Sequence, residues 1–236
     1  MEIKILFFVC IVIASTADVT SQVEDKNQKS FIGFDKKFRL NANFGLHWST
    51  MEGKSLATQY FSKPSVGIGL AAEYYFKPYI GLSIGAGYQQ LGSGIYTQIK
   101  QSVSGVQPDS TYRSRLRFNT FVFPVTLHLR TPKDFLLDGW RFGASFSLIP
   151  LINSSTHQVY NSLEPSLPVL DDNKDVSSLY FKNDMMFQIA IGPEIISGTG
   201  IFKFQFVYSA GTTNVYSANQ GNGNNRAYGF RIGYSF

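Results

Sequence analysis

Hydrophobic and polar residues alternate with a period of two along most of the chain, which is typical of β-strands that present each face to a different environment. In segment 37–49, Phe38, Leu40 and every second residue after them are mostly apolar, whereas Arg39, Asn41 and their alternates are polar or glycine. The same alternation predicts eight strands, over residues 37–49, 65–76, 79–89, 112–130, 140–150, 183–194, 202–211 and 224–236.

The fourth segment changes the parity of its apolar residues. Leu116 and Phe118 share one parity, whereas the apolar residues from Phe121 onward take the other. A β-bulge near Asn119–Thr120 would bring both sets to one face. Pro124 has no backbone donor, so it predicts a second local irregularity.

The composition of the two faces indicates which one points outward. The polar faces are rich in Gly, Ser and Ala with isolated charges, as expected of a crowded interior, whereas a solvated face would carry dense Lys and Glu. Aromatic residues collect near the ends of the apolar faces, as in the interfacial girdles of membrane barrels: Phe38, Trp48, Phe76, Tyr88, Trp140, Phe202 and Tyr234. We therefore predict an all-β fold, an eight-stranded antiparallel up-and-down transmembrane β-barrel.

The predicted connections alternate in length. The long ones cover 50–64, 92–111, 151–179 and 212–225, and the short ones cover 77–78, 131–138 and 196–200. Outer-membrane barrels have long external loops and short periplasmic turns. This order therefore predicts that both termini are periplasmic and that the long loops are extracellular.

The N-terminal residues have the pattern of a secretory signal peptide. Lys4 precedes a short apolar run that is too short to span a membrane, and small residues follow it. We expect residues 1–17 to be the signal, with cleavage possible as late as Gln22, followed by a periplasmic segment (18–35) and the barrel (36–236). The single cysteine, Cys10, lies in the signal, so the mature chain is expected to have no disulfide or thiol chemistry.

Charge and composition exclude two classes of protein. Aromatic residues make up 15% of the chain and charged residues 16%, which does not fit a disordered protein. The formal net charge of +5 could suggest nucleic-acid binding, but the basic residues are scattered among the strands of an exported chain. We therefore expect no nucleic-acid partner.

Three segments resemble a known family. The stretch "FKFQFVYSAGTTNVY" at 202–216 is similar to the penultimate strand and loop of PorT-like outer-membrane β-barrels, and "FNTFVFPVTLHLR" at 118–130 resembles their apolar strand with a central proline. The terminal "GFRIGYSF" is similar to their closing strand. The resemblance implies an outer-membrane location and an eight-stranded barrel, and it implies little biochemistry.

The last residues also match the general signal that the barrel-assembly machinery reads. Phe236 is a terminal aromatic residue and Tyr234 is hydrophobic two positions earlier. Arg231 stands where a glycine is usual, with glycines on either side. We expect Phe236 and Tyr234 to act as the assembly signal.

The inward face of the predicted barrel carries charges that need partners, because an unpaired buried charge is costly. We expect two clusters, each with one carboxylate between two cations: Arg39, Glu73 and Arg231 in the first, and Arg141, Glu194 and Lys203 in the second. Their expected role is to close and stiffen the barrel; a gate or a proton path is the alternative.

Two motifs suggest chemistry. His47 and Ser49 form an H-x-S pair, in which an imidazole could activate a hydroxyl as in outer-membrane lipid A deacylases, although no orienting carboxylate can be assigned. Asp171, Asn173 and Asp175 have the alternate spacing of a calcium loop, but the glycine and the terminal glutamate of that motif are missing. We expect an ordinary lumen pair and a solvated acidic loop, and no cofactor or metal.

Taken together, these patterns predict a non-enzymatic barrel that acts in envelope integrity or in surface binding through four external loops. Its expected partners are outer-membrane lipid and lipopolysaccharide, the assembly machinery and a protein at the loops. Lys100, Arg113 and Arg115 near the rim could meet lipopolysaccharide phosphates. The alternatives are a small outer-membrane enzyme acting on lipid or lipopolysaccharide, and a component of a secretion or transport assembly.

Overall fold

The computed structural model describes residues 37–53, 58–99, 110–132, 135, 137, 139–162, 174–180, 183–197, 200–214 and 223–236. The predicted signal peptide and periplasmic segment lie outside these residues. The strands are β1 Phe38–Gly53, β2 Thr58–Phe61, β3 Lys63–Lys77, β4 Ile80–Ile99, β5 Ser110–Val122, β6 Val125–Arg130, β7 Trp140–Ser162, β8 Lys174–Asp175, β9 Asn183–Ser197, β10 Gly200–Gly211 and β11 Gly223–Ser235. A 3-10 helix spans Ser177–Leu179. In the described part of the chain, no helix combines the length and apolarity needed to cross a membrane.

The strands form one antiparallel sheet that closes on itself. The strands pair in the order β1, β3, β4, β5, β7, β9, β10 and β11, and β11 pairs with β1 again. When β2 is counted with β3 and β5 with β6, the described strands form a ring of eight, and the short β8 lies against β7. Closure leaves no long unpaired edge in the ring.

The two ends of the ring differ, and we name them by what they contain. At the terminal end the chain enters at Phe38 and finishes at Phe236, and β3 turns directly into β4 between Lys77 and Ile80. At the opposite end, the loop end, lie the strand ends Gly53, Ile99, Ser110, Ser162 and Gly223.

The outer wall is apolar over the half of the barrel nearer the terminal end, and the interior there is polar. Leu70 and Ile84 are 64% and 66% exposed on the outside, whereas Glu73 is only 1% exposed on the inside. This arrangement is the reverse of a water-soluble barrel, whose apolar faces fill the core. The predicted assignment of the apolar face to the outside is therefore confirmed.

This polarity inverts toward the loop end. The inward residues there form an apolar cluster: Met51, Leu91, Ile95, Leu116, Phe118, Ile149, Leu151, Val176, Met186 and Ala227. The outward residues at that end include Arg115, Arg117 and an exposed ion pair between Arg226 and Glu52. This end of the barrel has the pattern of a protein in water, with apolar residues inside and charges outside.

The inversion corrects the interpretation of the fourth segment. Leu116 and Phe118 were expected on the outer face, but both are fully buried inside, and β5 keeps one parity throughout. The register does shift at Asn119/Thr120, as predicted, but the extra residue is Ser154 of β7. The apolar residues of this segment change from even to odd positions because the interior is apolar toward the loop end. They do not change because β5 contains an extra residue.

The irregularity predicted at Pro124 is confirmed, since β5 ends at Val122 and β6 begins at Val125. The neighbouring strands still bond to this gap: the Gly85 N–H donates to the Pro124 carbonyl at 2.9 Å, and the Phe123 N–H donates to the Pro150 carbonyl at 3.0 Å. The barrel wall therefore continues past the missing donor.

The long connections predicted at the loop end are shorter than expected. β1 continues to Gly53, β4 to Ile99 and β7 to Ser162, so much of the predicted loops 50–64, 92–111 and 151–179 is strand. Each strand was predicted to end at its last outward-facing apolar residue. The strands in fact continue toward the loop end, where their apolar residues point inward instead of outward.

Candidate functional site

The interior at the terminal end holds a network of buried ions. We define the ion network as Glu73, Arg130, Arg141, Glu194 and Lys203. Glu194 lies 2.7 Å from the Arg141 guanidinium and 2.9 Å from that of Arg130. Glu73 forms an ion pair with Lys203 and lies 3.7 Å from Arg130. Arg130 therefore connects the two carboxylates into one network.

Strand register brings some of these partners together. Arg141 of β7 pairs with Glu194 of β9, and Glu194 also pairs with Lys203 of β10. Arg39 of β1 pairs with Glu73 of β3. Residues directly opposite on the same face of an antiparallel pair are neighbours, so each carboxylate has a cation beside it along the wall.

The predicted division into two clusters is wrong in its grouping. Lys203 was assigned to Glu194, but its ammonium contacts Glu73, which lies on a strand that does not pair with β10. Arg130 was missed altogether. The alternation of β6 could have predicted it, because Arg130 follows Thr126 and His128 on the inward face of that strand.

Arg231 was expected to point toward Glu73, and its hydrogen bonds lead elsewhere. Its guanidinium donates to the Gln205 amide oxygen at 2.8 and 3.1 Å and to the Gln188 amide oxygen at 3.0 Å. Gln188 in turn donates to Ser209 at 2.9 Å, which fixes its oxygen toward the arginine. Arg231 therefore belongs to a polar layer above the ion network.

Neutral groups complete the contacts of Glu73. The hydroxyls of Tyr75 and Ser235 each donate to this carboxylate at 3.2 Å. The Arg130 guanidinium lies over the Tyr75 ring, 3.7 Å from its centroid, in a cation–π contact. Buried carboxylates with several donors and cations are stable only as a set, because removing one partner leaves uncompensated charge.

His47 and Ser49 both face inward, as their shared parity predicts, and both are buried. The Ser49 hydroxyl makes no hydrogen bond within the described part of the chain, so the two side chains do not form a nucleophile–base pair. The structure instead brings His128 and Ser83 together, with Nε2 and Oγ 2.8 Å apart.

The candidate calcium residues are only partly covered by the structure, since Asp171 and Asn173 lie outside the described residues. The Asp175 carboxylate accepts hydrogen bonds from the Ser177 hydroxyl at 2.6 Å and the Ser177 N–H at 2.9 Å. These bonds lower the pKa of the Asp175 carboxyl. Within the described ranges, no group of three or more His, Cys, Asp or Glu residues could hold a metal ion.

The segment that carries Asp175 covers the top of the interior. Val176 is buried in the apolar cluster, and its N–H donates to the Thr156 carbonyl at 2.9 Å. Tyr180 packs against the Phe118 ring at a centroid distance of 5.0 Å. The Asp175 side chain itself is exposed, as the expected solvated loop requires, whereas Val176 and Tyr180 beyond it reach the apolar cluster.

The two predicted assembly residues lie on the outer wall at the terminal end. Phe236 exchanges backbone hydrogen bonds with Leu40, which ties the end of the chain to β1. Tyr234 packs against Phe202 at 4.7 Å and against Phe236 at 6.0 Å between ring centroids. Both side chains are placed where they close the ring; their recognition during assembly stays a prediction.

A closed antiparallel sheet with an apolar outer wall and an ionic interior defines the class of β-barrels that face lipid. The sequence matches the model of the outer membrane protein beta-barrel domain over residues 20–217. The chain therefore belongs to this family, and membership indicates an integral outer-membrane location.

Several solved structures are similar to this chain at low sequence identity. They include Neisserial surface protein A (9% identity, TM-score 0.43, covering 85% of this chain and 96% of that one). The N-terminal β-barrel domain of OprF from Pseudomonas aeruginosa is 11% identical, with a TM-score of 0.40 and coverage of 85% and 98%. OprG from the same organism is 14% identical, with a TM-score of 0.38 and coverage of 84% and 95%. No curated protein matches the sequence.

Proposed function

We propose that this protein is a non-enzymatic, eight-stranded transmembrane barrel that holds a rigid binding rim above the outer membrane. In this proposal the terminal end faces the periplasm and the loop end faces the cell exterior. The rim meets the phosphates of lipopolysaccharide through arginines on its outer wall. The barrel thereby contributes to envelope integrity at the cell surface.

The inversion of polarity along the barrel carries this proposal. The outward apolar residues of β1 run from Phe38 to Trp48, about 33 Å along a strand, which at a tilt of about 40° covers about 25 Å of membrane. Beyond Trp48 the outward residues are Thr50 and Glu52, while Met51 points into the apolar cluster. A barrel of this kind matches lipid over one part of its height and water over the rest.

The filled interior supports a structural role over transport or catalysis. Eight strands leave an interior just wide enough for side chains. Here the ion network occupies the terminal end and the apolar cluster occupies the loop end. Ser83 and His128 are hydrogen-bonded but buried inside this filled interior, which does not favour the alternative of a lipid-modifying enzyme.

The proposed lipopolysaccharide contact consists of Arg115 and Arg117 on the outer face of β5. Both are exposed, and they stand four and two residues from Asn119, respectively, beyond the outward apolar residue Phe121. Their partners on β4 are Gly94, over which the Phe61 ring lies, and Gly92. Of the other two basic residues named from the sequence, Lys100 and the side chain of Arg113 lie outside the described part.

Two arginines on one face lie about 6.6 Å apart along a strand, so both can reach the phosphates of one headgroup.

The resemblance to PorT-like barrels fits a structural protein. Two residues of the similar stretch 202–216 are hydrogen-bonded: Ser209 accepts from Gln188, and Asn214 accepts from the Gly223 N–H at 2.9 Å. We propose that the protein belongs to the PorT-like branch on the basis of the three similar segments.

The proposed contact is tested by titrating lipopolysaccharide into the detergent-solubilised barrel and measuring its affinity. Each arginine near a charged membrane surface contributes about 1 kcal/mol, so R115S/R117S should weaken binding about 30-fold. R226S is the matched control, because Arg226 is also an exposed outward arginine but is paired with Glu52. Equal affinities of the double variant and the wild type would contradict the contact. Co-purification of a stable partner protein from intact outer membranes would favour the alternative of a secretion assembly.

A further inference from the structure

A small cavity lies in the middle of the interior, bordered by the polar layer around Arg231 and by Ile149 of the apolar cluster. Its volume is about 60 Å³, and its polar lining includes His47, Gln89, Gln188 and Arg231. A cavity of this size holds about two water molecules or one monatomic anion. It is separate from the arginines of the proposed rim, which lie on the outer wall.

Inward-facing glycines provide the space for this cavity. Gly45, Gly67, Gly69 and Gly87 all line it. The His47 ring folds over Gly45, where a Cβ atom would lie 2.9 Å from the ring carbon Cε1. Gly45 pairs with Arg231 across the β1–β11 ladder, so the imidazole and the guanidinium meet at the same place.

Two buried polar atoms in the lining have no hydrogen-bond partner within the described part of the chain. They are Nδ1 of His47 and Nε2 of Gln89, and each residue is only 6% exposed. Buried polar atoms are almost always hydrogen-bonded, because an unmade bond costs about 1–3 kcal/mol. The Gln89 amide nitrogen is a donor and so requires an acceptor.

The charge of Arg231 is not neutralised by its hydrogen bonds, which go to the neutral amide oxygens of Gln188 and Gln205. The described interior as a whole is cationic. Its inward residues comprise six cations and three carboxylates: Arg39, Lys63, Arg130, Arg141, Lys203 and Arg231 against Glu73, Asp184 and Glu194. Excess buried charge is costly unless a counterion accompanies it.

We infer that the cavity binds a monatomic anion of the halide class, held by the Gln89 amide, the His47 imidazole and the Arg231 guanidinium. Water molecules could accept the Gln89 hydrogen bond, but they carry no charge opposite to that of Arg231. An anion can accept from the Gln89 amide and from the Arg231 guanidinium, and it also offsets part of the excess positive charge of the interior. The site is therefore a structural halide site in the barrel interior.

The inference is tested with bromide as the probe on the full mature barrel. Crystals grown in sodium bromide should show an anomalous peak in the cavity between Gln89 and Arg231. In detergent, the thermal midpoint should be about 2–4 °C higher in sodium bromide than in sodium gluconate of equal ionic strength. A cavity without an anomalous peak, or equal midpoints in the two salts, would overturn the inference.

The variant Q89E supplies a built-in carboxylate in place of the anion. It should lose both the anomalous peak and the dependence of the midpoint on the anion. Q90E is the matched control, because Gln90 is the next residue along β4, lies outside the cavity and receives the same change of charge. Persistence of the bromide effect in Q89E would refute the site, and the two wild-type measurements decide the question if Q89E does not fold.

Discussion

At the scale of single residues, the interior depends on a few charges whose partners lie on distant strands. The sequence distance between Lys203 and Glu73 is 130 residues, and Arg130 contacts both carboxylates of the ion network. Such ions contribute to stability as a group, because each one offsets the burial cost of the others. The same chemical change should therefore have very different effects inside and outside the barrel.

This difference can be measured with two glutamate variants. E194Q removes the carboxylate that faces Arg130 and Arg141 and should lower the free energy of unfolding by about 3–5 kcal/mol. E52Q removes the partner of Arg226 on the exposed outer wall and should cost less than about 1 kcal/mol. Urea unfolding in detergent micelles, followed by tryptophan fluorescence, gives both values. Similar losses in the two variants would show that the ion network does not stabilise the barrel.

At the scale of elements, each long strand passes through two environments. β7 is 23 residues long, and its inward residues are odd-numbered up to Leu151 but even-numbered at Thr156. The bulge at Ser154 causes this change of parity, and the Ser154 hydroxyl fastens it by donating to the Asn119 carbonyl at 2.8 Å. The bulge therefore sets which residues of β7 enter the interior at the loop end.

Deleting Ser154 should be tolerated. Without the extra residue, Asn153 and Thr156 still point inward with Ser155 between them, so every side chain of β7 keeps its face. Only the hydrogen bond of the Ser154 hydroxyl is lost, so we expect a cost of about 1 kcal/mol in the free energy of unfolding. Deleting Ser145, a serine of β7 outside the bulge, forces a one-residue slip that reverses the side chains on one side of the deletion. It should cost about 3 kcal/mol or more, or leave no folded species on a heat-modifiability gel. Equal stabilities of the two deletion variants would contradict the assignment of Ser154 as the extra residue.

At the scale of the whole molecule, the barrel has a definite direction. Phe38, Phe236 and the short β3–β4 turn share one end, while β1, β4 and β7 extend farthest at the other. The apolar outer wall lies nearer the terminal end, and the charged outer wall lies at the loop end. This asymmetry supports a barrel that projects from one side of the membrane only.

Cysteine labelling of intact cells tests this direction. E52C lies at the loop end and should react with a membrane-impermeant maleimide, whereas K77C lies at the terminal end and should not. After the outer membrane is permeabilised, both variants should react. The only native cysteine, Cys10, lies in the predicted signal peptide, so the background should be low. Labelling of K77C alone in intact cells would mean that the barrel is oriented the other way.

The sequence by itself determined the class of fold and the outer face over most of the barrel height. Period-two alternation is a local property, so the strands and their apolar faces could be predicted segment by segment. It also placed His47, Glu73 and Arg141 inside, because inward parity follows from the same alternation.

The partners of these residues were decided only by the tertiary structure. Lys203 contacts Glu73 across the interior, although the two strands do not pair, because long side chains reach across a narrow lumen. The inward position of Phe118 likewise depends on which part of the barrel height is filled by the apolar cluster. Alternation in the sequence shows which residues of a strand share a face. Whether that face contacts lipid, water or the filled interior at a given height depends on the assembled barrel.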